Sequence, residues 1–435
     1  MYIRQLAVEN LRCFSGASID FLHPARRQEQ AFAHLGDWPP AFRNVNVILG
    51  TNGAGKSTLL DGIALAILSS VIASSGYKPY SLIRRNEDAP IENATLRAEL
   101  LLHGQDRLVT QRVANARHSA KTIIRRRGDH EVIVGIDDYN SIWEGMFDDS
   151  SPAFLLVGYG ATRRVEATST FEISARRKSR HLRYERVASL FEDHYSLTPL
   201  SAWLPDLEDD NPGRHKQVVN LINRLLPRGT RFTGQFDGAE YIFRHRSVKV
   251  PFGALSDGFR SYIGWIGDLL YHVCMGCPPG KKLVDNRGVV LVDEIDLHIH
   301  PEWQLSIIPR LARALPKLQF ILTTHSPIVV GTLEQGNIHH LRTSADGSAL
   351  VECATEELFG LTADQVLHSS VFGLTSSRAP KFVKELHLLA SKASSGEKGA
   401  ARELMRRVAR GKAARTHEDE EPPEWVKKAS KKKHD

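Results

Sequence analysis

The sequence predicts an α/β fold organised on a doubly wound, mainly parallel sheet, with an antiparallel β subdomain at the N-terminal end and a helical lobe inserted further on. Three observations lead there. The runs Val45–Leu49, Val289–Val292 and Phe320–Thr324 are short, continuously apolar and largely β-branched, as strands buried on both faces are. Each stops abruptly at a polar or glycine-rich group and is followed by a stretch with helical spacing, so these groups collect where the strands' carboxyl ends open a crevice. By contrast, Met1–Phe21 alternates apolar and polar residues around Ser15-Gly16, which predicts two short antiparallel strands.

Composition sets the frame for these elements. Of 435 residues 42% are hydrophobic and 25% charged, the balance of a globular protein. The most apolar stretch, Gly62–Ser75, falls short of the roughly 18 residues that a bilayer demands, so no membrane span is expected. The opening MYIRQLAVENLRCF lacks the basic-then-apolar order of a leader, and four cysteines make no disulfide framework. A cytoplasmic location is expected. The net charge of +7 is uneven: residues 378–435 hold 16 Lys+Arg against 9 Asp+Glu, leaving 41 of each in residues 1–377. The neutral body therefore carries a basic tail, which suits either a solvated terminus or an electrostatic hook for nucleic acid or an acidic protein.

After Val45–Leu49 comes a glycine-rich loop and then Leu59–Ile72, helical in composition. Strand-like runs follow at 94–102, 107–113, 123–127, 132–136 and 153–157, the last ending in Gly158-Tyr159-Gly160. Between Arg163 and Pro227 apolar residues recur at three and four, the mark of helices. Strands return at 231–250, and Gly258–Cys277 reads as an apolar helix. The acid-ended strand 289–294, a helix at 302–315 and the strand 320–325 complete the sheet.

The chemistry is concentrated at two strand ends. Gly50-Thr51-Asn52-Gly53-Ala54-Gly55-Lys56-Ser57 fits the phosphate loop G-x-x-x-x-G-K-[ST], with the strand before and the helix after that the motif needs. Glycines let successive N–H groups turn inward, and the following helix adds its positive end to that anion cradle. Lys56 is expected to reach the β- and γ-phosphates and the Ser57 hydroxyl to ligate Mg²⁺. Asp293 and Glu294 close an apolar strand, where adjacent carboxylates are expensive without a cation or a reacting proton nearby. Asp293 is expected to hold the Mg²⁺ shell and Glu294 to take a proton from the attacking water.

The order of Gly50–Thr58, Leu255-Ser256-Asp257-Gly258, Asp293-Glu294 and His325 resembles the ABC-type ATPase heads: phosphate loop, signature, acidic strand end, switch histidine. The resemblance is nearest to the RecF/SMC/overcoming-lysogenization-defect group, and within it to the ATPase components of bacterial anti-phage defence systems. It covers about residues 1–378, and the strings Asp293–Pro301 and Thr323–Pro327 are typical of that subgroup. It implies a P-loop NTPase fold of ABC type and a site one copy cannot complete. Ser256 and Gly258 of a second copy would close over the γ-phosphate, giving an ATP-sandwiched homodimer or a higher oligomer, while His325 would contact the γ-phosphate. Ser256 also suits a helix N-cap.

Two departures separate the chain from transporter heads. Their glutamine after the 154–157 strand is replaced by Gly158-Tyr159-Gly160-Ala161-Thr162-Arg163, and their aspartate before the proline by His300. Tyr159 and Arg163 are then the candidates to complete the Mg²⁺ shell. Fewer than 200 residues separate Thr58 from Leu255, with prolines at 199, 205, 212 and 227 and no sustained heptad, so no long coiled-coil arm is expected.

Five expectations remain. Cys274 and Cys277 have metal-ligand spacing but read as a buried helix end, since zinc needs four ligands. The basic cluster Arg163–Arg186 suits DNA backbone, a solvated face or an acidic partner. No second catalytic centre follows residue 340, so any cleavage belongs to a separate effector, a nuclease encoded nearby. The domain boundaries expected are 1–162 and 285–377 for the ATPase lobe, 163–284 for the helical signature lobe, and 378–435 for the basic extension. The functional expectation is an ATP-hydrolysing sensor or scaffold controlling that effector in anti-phage defence; the alternative is a RecF-like DNA-binding ATPase of repair.

Overall fold

The structure is a computed structural model that describes residues 1–26, 40–85, 90–103, 117–134, 155–165, 182–238 and 240–413. The chain forms two compact units, Met1–Gly373 and Leu374–Asp435.

In the first unit an antiparallel sheet runs in the order β2-β1-β4-β5-β6, from β1 (Tyr2–Leu11), β2 (Phe14–Asp20), β4 (Asn93–Leu101), β5 (Arg117–Arg127) and β6 (His130–Val134). The second sheet holds β3 (Val45–Gly50), β7 (Leu155–Tyr159), β13 (Gly288–Val292), β14 (Leu318–Thr323), β15 (Ile338–Thr343) and β16 (Ala349–Cys353), in the order β16-β15-β3-β14-β13-β7. All its neighbours are parallel except the β15–β16 pair. This is the α/β P-loop arrangement expected, with the acid-ended strand β13 two places from the phosphate-loop strand β3. The run expected at 107–113 lies outside the described residues.

Helix α1 (Lys56–Ser74) packs against both sheets. Its residues from Leu59 to Leu68 are buried on nearly every side, which is why its sequence carries no polar stripe. At 19 residues it is long and apolar enough to cross a membrane, a length the sequence reading missed because the helix starts at Lys56, within the phosphate loop. With 72% of its apolar window buried, it is placed as a core helix. Two buried amides join the sheets: Gln319 bonds the Ile3 N–H and carbonyl at 2.9 and 2.8 Å, and Asn46 bonds the Leu22 N–H and carbonyl at 2.7 and 2.9 Å. Each satisfies backbone groups that would otherwise be buried without partners.

The remaining elements carry the signature region. A short parallel pair, β8 (Arg164–Val165) and β9 (Ser196–Leu197), precedes helix α2 (Pro212–Leu225). A hairpin and a third strand follow: β10 (Thr230–Asp237), β11 (Glu240–His245) and β12 (Val248–Pro251). Helix α3 (Asp257–Met275) is buried along most of its length, and α4 (Pro301–Ala314) leads from the acidic strand end into β14. The second unit contains helices α5 (Pro380–Ser394) and α6 (Ala400–Ala413), joined by an ion pair of Arg407 with Glu385, while Arg407 also pairs with Glu403 one turn back on α6. The acidic loop 418–421 and the lysine tail lie outside the described residues.

Candidate functional site

The loop between β3 and α1 is shaped by its glycines. Gly53 and Gly55 sit at φ +78° and +102°, a region that side chains rarely adopt. A Cβ on Gly55 would also come within 2.5 Å of Cys13 Sγ and 2.7 Å of the Phe14 ring, so β2 closes the loop from outside. Thr51, Asn52 and Gly53 face solvent while Ala54, Lys56 and Thr58 turn inward. Lys56 Nζ donates to the carbonyls of Gly50 at 3.0 Å and Thr51 at 3.1 Å, arching over its own loop. Burial pulls its pKa down, opposed by Asp293, Glu294 and Asp296.

Asp293 follows β13 directly and is buried. Its carboxylate accepts from Ser57 Oγ at 2.7 Å and from Thr323 Oγ1 at 2.5 Å, one hydroxyl on each oxygen. Lys56, Ser57 and Asp293 are thus brought into one crevice. Glu294 is half-buried at φ +48°, and its N–H donates to Thr323 Oγ1 at 2.7 Å. His325 lies two residues beyond Thr323 on the adjacent strand end, half-buried, between Thr324, which bonds Asp296, and Ser326, whose hydroxyl donates to Gln304 at 2.7 Å.

Arg163 holds this strand end from the other side. Its guanidinium donates to the carbonyls of Asp293 at 2.6 Å and Glu294 at 2.8 Å, and it is buried. Burial lowers its pKa to about 10, with Asp293, Asp296 and Glu294 pushing the other way, so it stays a cation near neutrality. A cation fixed to carbonyls cannot ligate magnesium, which corrects the expectation for Arg163. Tyr159 is corrected too: its hydroxyl donates to Asp268 Oδ2 on α3 at 2.7 Å, and the side chain is fully buried.

This crevice can be set beside known proteins. A family profile described as "AAA domain, putative AbiEii toxin, Type IV TA system" matches residues 107–331, and one described as "AAA domain" matches 5–157. The chain belongs to this AAA domain family. It is similar to Septu protein PtuA of Bacillus mycoides, 25% identical over 81% of this chain and 44% of that protein. It is also similar to the Retron Vc95 probable ATPase of Vibrio cholerae, 20% identical over 78% of this chain and 76% of that one. The Retron Ec83 probable ATPase of Escherichia coli is 34% identical over 36% of this chain and 29% of its own. The chain therefore spans less than half of two of these relatives. The SMC head domain from Thermotoga maritima covers 81% of this chain and 99% of its own at 14% identity, with a TM-score of 0.43. The resemblance drawn from the motifs, to ABC-type ATPases of anti-phage defence, agrees with these relatives.

The segment Leu255–Gly258, expected to be the signature, leads into α3. Ser256 takes the N-cap position of α3, yet its side chain makes no capping hydrogen bond. The capping role expected for it is not formed, and the hydroxyl is left for other contacts. Gly258 has a packing reason to be glycine, because a Cβ there would come within 2.4 Å of the His298 carbonyl oxygen. Among the described residues no hydrogen bond joins Ser256 or Gly258 to Gly50–Thr58.

The basic cluster is corrected in part. Arg163, Arg183 and Arg186 are buried, so these three members form no solvated or DNA-facing surface. Arg164 is exposed, and 176–180 lie outside the described residues. The Cys274–Cys277 pair is a helix end, as read: Arg214 donates to the carbonyls of Cys274 at 3.2 Å and Cys277 at 3.0 Å. Burial pushes the Cys274 thiol up to about 12, and no cluster of three His, Cys, Asp or Glu able to hold a metal exists among the described residues.

Thr323 and Asp61 are the site residues that sequence reasoning missed, and Arg163 is one whose role it misassigned. Asp61, one turn along α1, lies 3.3 Å from an Arg12 guanidinium nitrogen that is also 3.3 Å from Thr58 Oγ1. Burial raises its carboxyl from 3.8 to about 7, against the pull of Arg12. A raised acid favours the folded state fully below the ordinary value, and that contribution is lost as pH climbs through about 7. Between pH 5 and 8, Asp61→Asn is expected to flatten the fall in melting temperature, gaining about 1 to 3 kcal/mol over the parent at the alkaline end. Parallel melting curves that keep the parent's slope would contradict this.

Proposed function

We propose that the chain binds ATP with magnesium across Gly50–Thr58 and Asp293, closes with a second copy of itself, and hydrolyses the nucleotide. That cycle restrains or releases a separate effector, a nuclease, in cytoplasmic defence against phage. The observation that carries the reading is the Ser57–Asp293 hydrogen bond of 2.7 Å, which draws a phosphate loop and an acid-ended strand 236 residues apart into one crevice. The AAA domain supports nucleotide turnover, and relatives named Septu PtuA and retron ATPase support work in a defence system.

Ser57 and Asp293 fit magnesium, which prefers hard oxygens and needs only one or two carboxylates from protein. Ser57 and Asp293 would hold the ion, which would supply charge neutralisation at the phosphates. Lys56 turns from the Gly50 and Thr51 carbonyls to those phosphates. Thr323 keeps Asp293 oriented, and Glu294 takes the proton of the attacking water. His325 contacts the γ-phosphate from the neighbouring strand end. Ser256 and Gly258 of the second copy, presented by the 163–284 lobe, complete the site.

Lys56→Ala removes the one ammonium in the loop and is expected to abolish binding of a fluorescent ATP analogue. In cells carrying the chain with its neighbouring genes, the same variant is expected to lose protection against phage. Binding at the parent's affinity would take Lys56 out of the site, and full protection would separate the nucleotide from defence.

A further inference from the structure

On the first unit, α4, the end of α2 and the β11–β12 turn line a groove of about 1140 Å³. Five arginines line it, Arg224, Arg228, Arg246, Arg310 and Arg313, against a single carboxylate, Glu302. In a body whose charges otherwise cancel, this is a local excess of one sign. Among the described residues none of the five is ion-paired to an acid.

The groove is built rather than incidental. Arg246 holds the β11–β12 turn at φ +56°, and its N–H donates to the Gly229 carbonyl at 2.8 Å, which fixes Arg228 and Arg246 on one wall. From α4, Arg310 donates to the carbonyls of Arg224 and Leu226, while its buried Nε has no hydrogen-bond partner. Arg313 lies over the Phe42 ring, 5.6 Å from its centroid. The same helix brings apolar surface to the groove: Trp303, partly buried, and Leu305, 56% exposed.

We propose that this groove binds single-stranded nucleic acid. Guanidinium forks match phosphate oxygens two at a time, and a chain of phosphates satisfies several arginines at once. Trp303 and Leu305 select the single strand, because unstacked bases can cover them while a duplex keeps its base faces inside. This surface differs from the Arg163–Arg186 cluster and the basic tail. It stands on its own geometry, independent of the nucleotide reading. It is also linked to the acidic strand end, since α4 begins one residue after His300 and Gln304 donates to the Ile299 carbonyl at 2.9 Å.

The test is fluorescence anisotropy with the full chain and labelled oligonucleotides of roughly 20 nucleotides, single-stranded DNA, single-stranded RNA and duplex, across a salt series. Single strands are expected to bind more tightly than duplex, with affinity falling steeply as salt rises. The double variant Arg228→Glu/Arg246→Glu is expected to weaken that binding by about tenfold or more and to flatten the salt slope by roughly one to two. Its ATP binding should match the parent's, which shows the variant folded and keeps the outcome separate from that of the nucleotide site. The proposal is overturned if no oligonucleotide binds, if duplex binds more tightly, if the double variant binds like the parent, or if a polyglutamate peptide displaces the single strand at comparable concentration.

Discussion

Glu294→Gln is expected to slow ATP turnover by about 10² to 10⁴-fold, the usual contribution of a general base, while nucleotide affinity stays within a few-fold. The backbone at Glu294 is held independently of its carboxylate, through the Thr323 hydroxyl on its N–H and Arg163 on its carbonyl. Glutamine at the same left-handed position keeps those two bonds and the side chain's shape, and loses only the capacity to accept a proton. Nucleotide then enters, the second copy closes, and the complex stalls. Phosphate release gives the rate, and light scattering after gel filtration with ATP gives the mass. A variant that hydrolyses at the parent's rate would remove Glu294 as the base.

The second large effect belongs to Arg163. Arg163→Met leaves the carbonyls of Asp293 and Glu294 without their buried donor, at a cost of about 1 to 3 kcal/mol for each. With the strand end loosened, kcat is expected to fall by about tenfold or more while KM for ATP moves little, because the phosphate loop is untouched. Arg163→Lys should recover only part of the rate, since one ammonium cannot span two carbonyls as a planar fork does. A KM that rises while kcat holds would instead place Arg163 in nucleotide binding. An unchanged pair of constants would leave it with a purely structural role.

What the sequence made legible is what depends on neighbours in the chain. The phosphate loop could be read because its glycines, lysine and serine act as one short segment. The apolar strands could be read because burial on both faces leaves nothing polar in them. The roles of Arg163 and Thr323 could not, because each works on a group far along the chain, 130 residues away for Arg163 and its Asp293 carbonyl and 30 for Thr323 and its carboxylate. Backbone carbonyls also leave no side-chain pattern to read. The order of strands in the parallel sheet was likewise hidden, since equally apolar strands give no hint of which pairs with which. Arg183 and Arg186 misled for the opposite reason: charge in a sequence suggests a surface, whereas these guanidiniums lie in the interior. Ser256 showed a local signal, an N-cap before a helix, that its side chain does not use.

Whether a second copy completes the site can be tested by mixing two inactive variants. Lys56→Ala disables a protomer's phosphate loop and leaves its signature intact, while Ser256→Arg does the reverse. Each alone is expected to hydrolyse no ATP. Combined, they should recover activity, because the loop of the Ser256→Arg protomer meets the signature of the Lys56→Ala protomer in one whole site. A mixture as silent as its components, or a Ser256→Arg variant active on its own, would contradict the account.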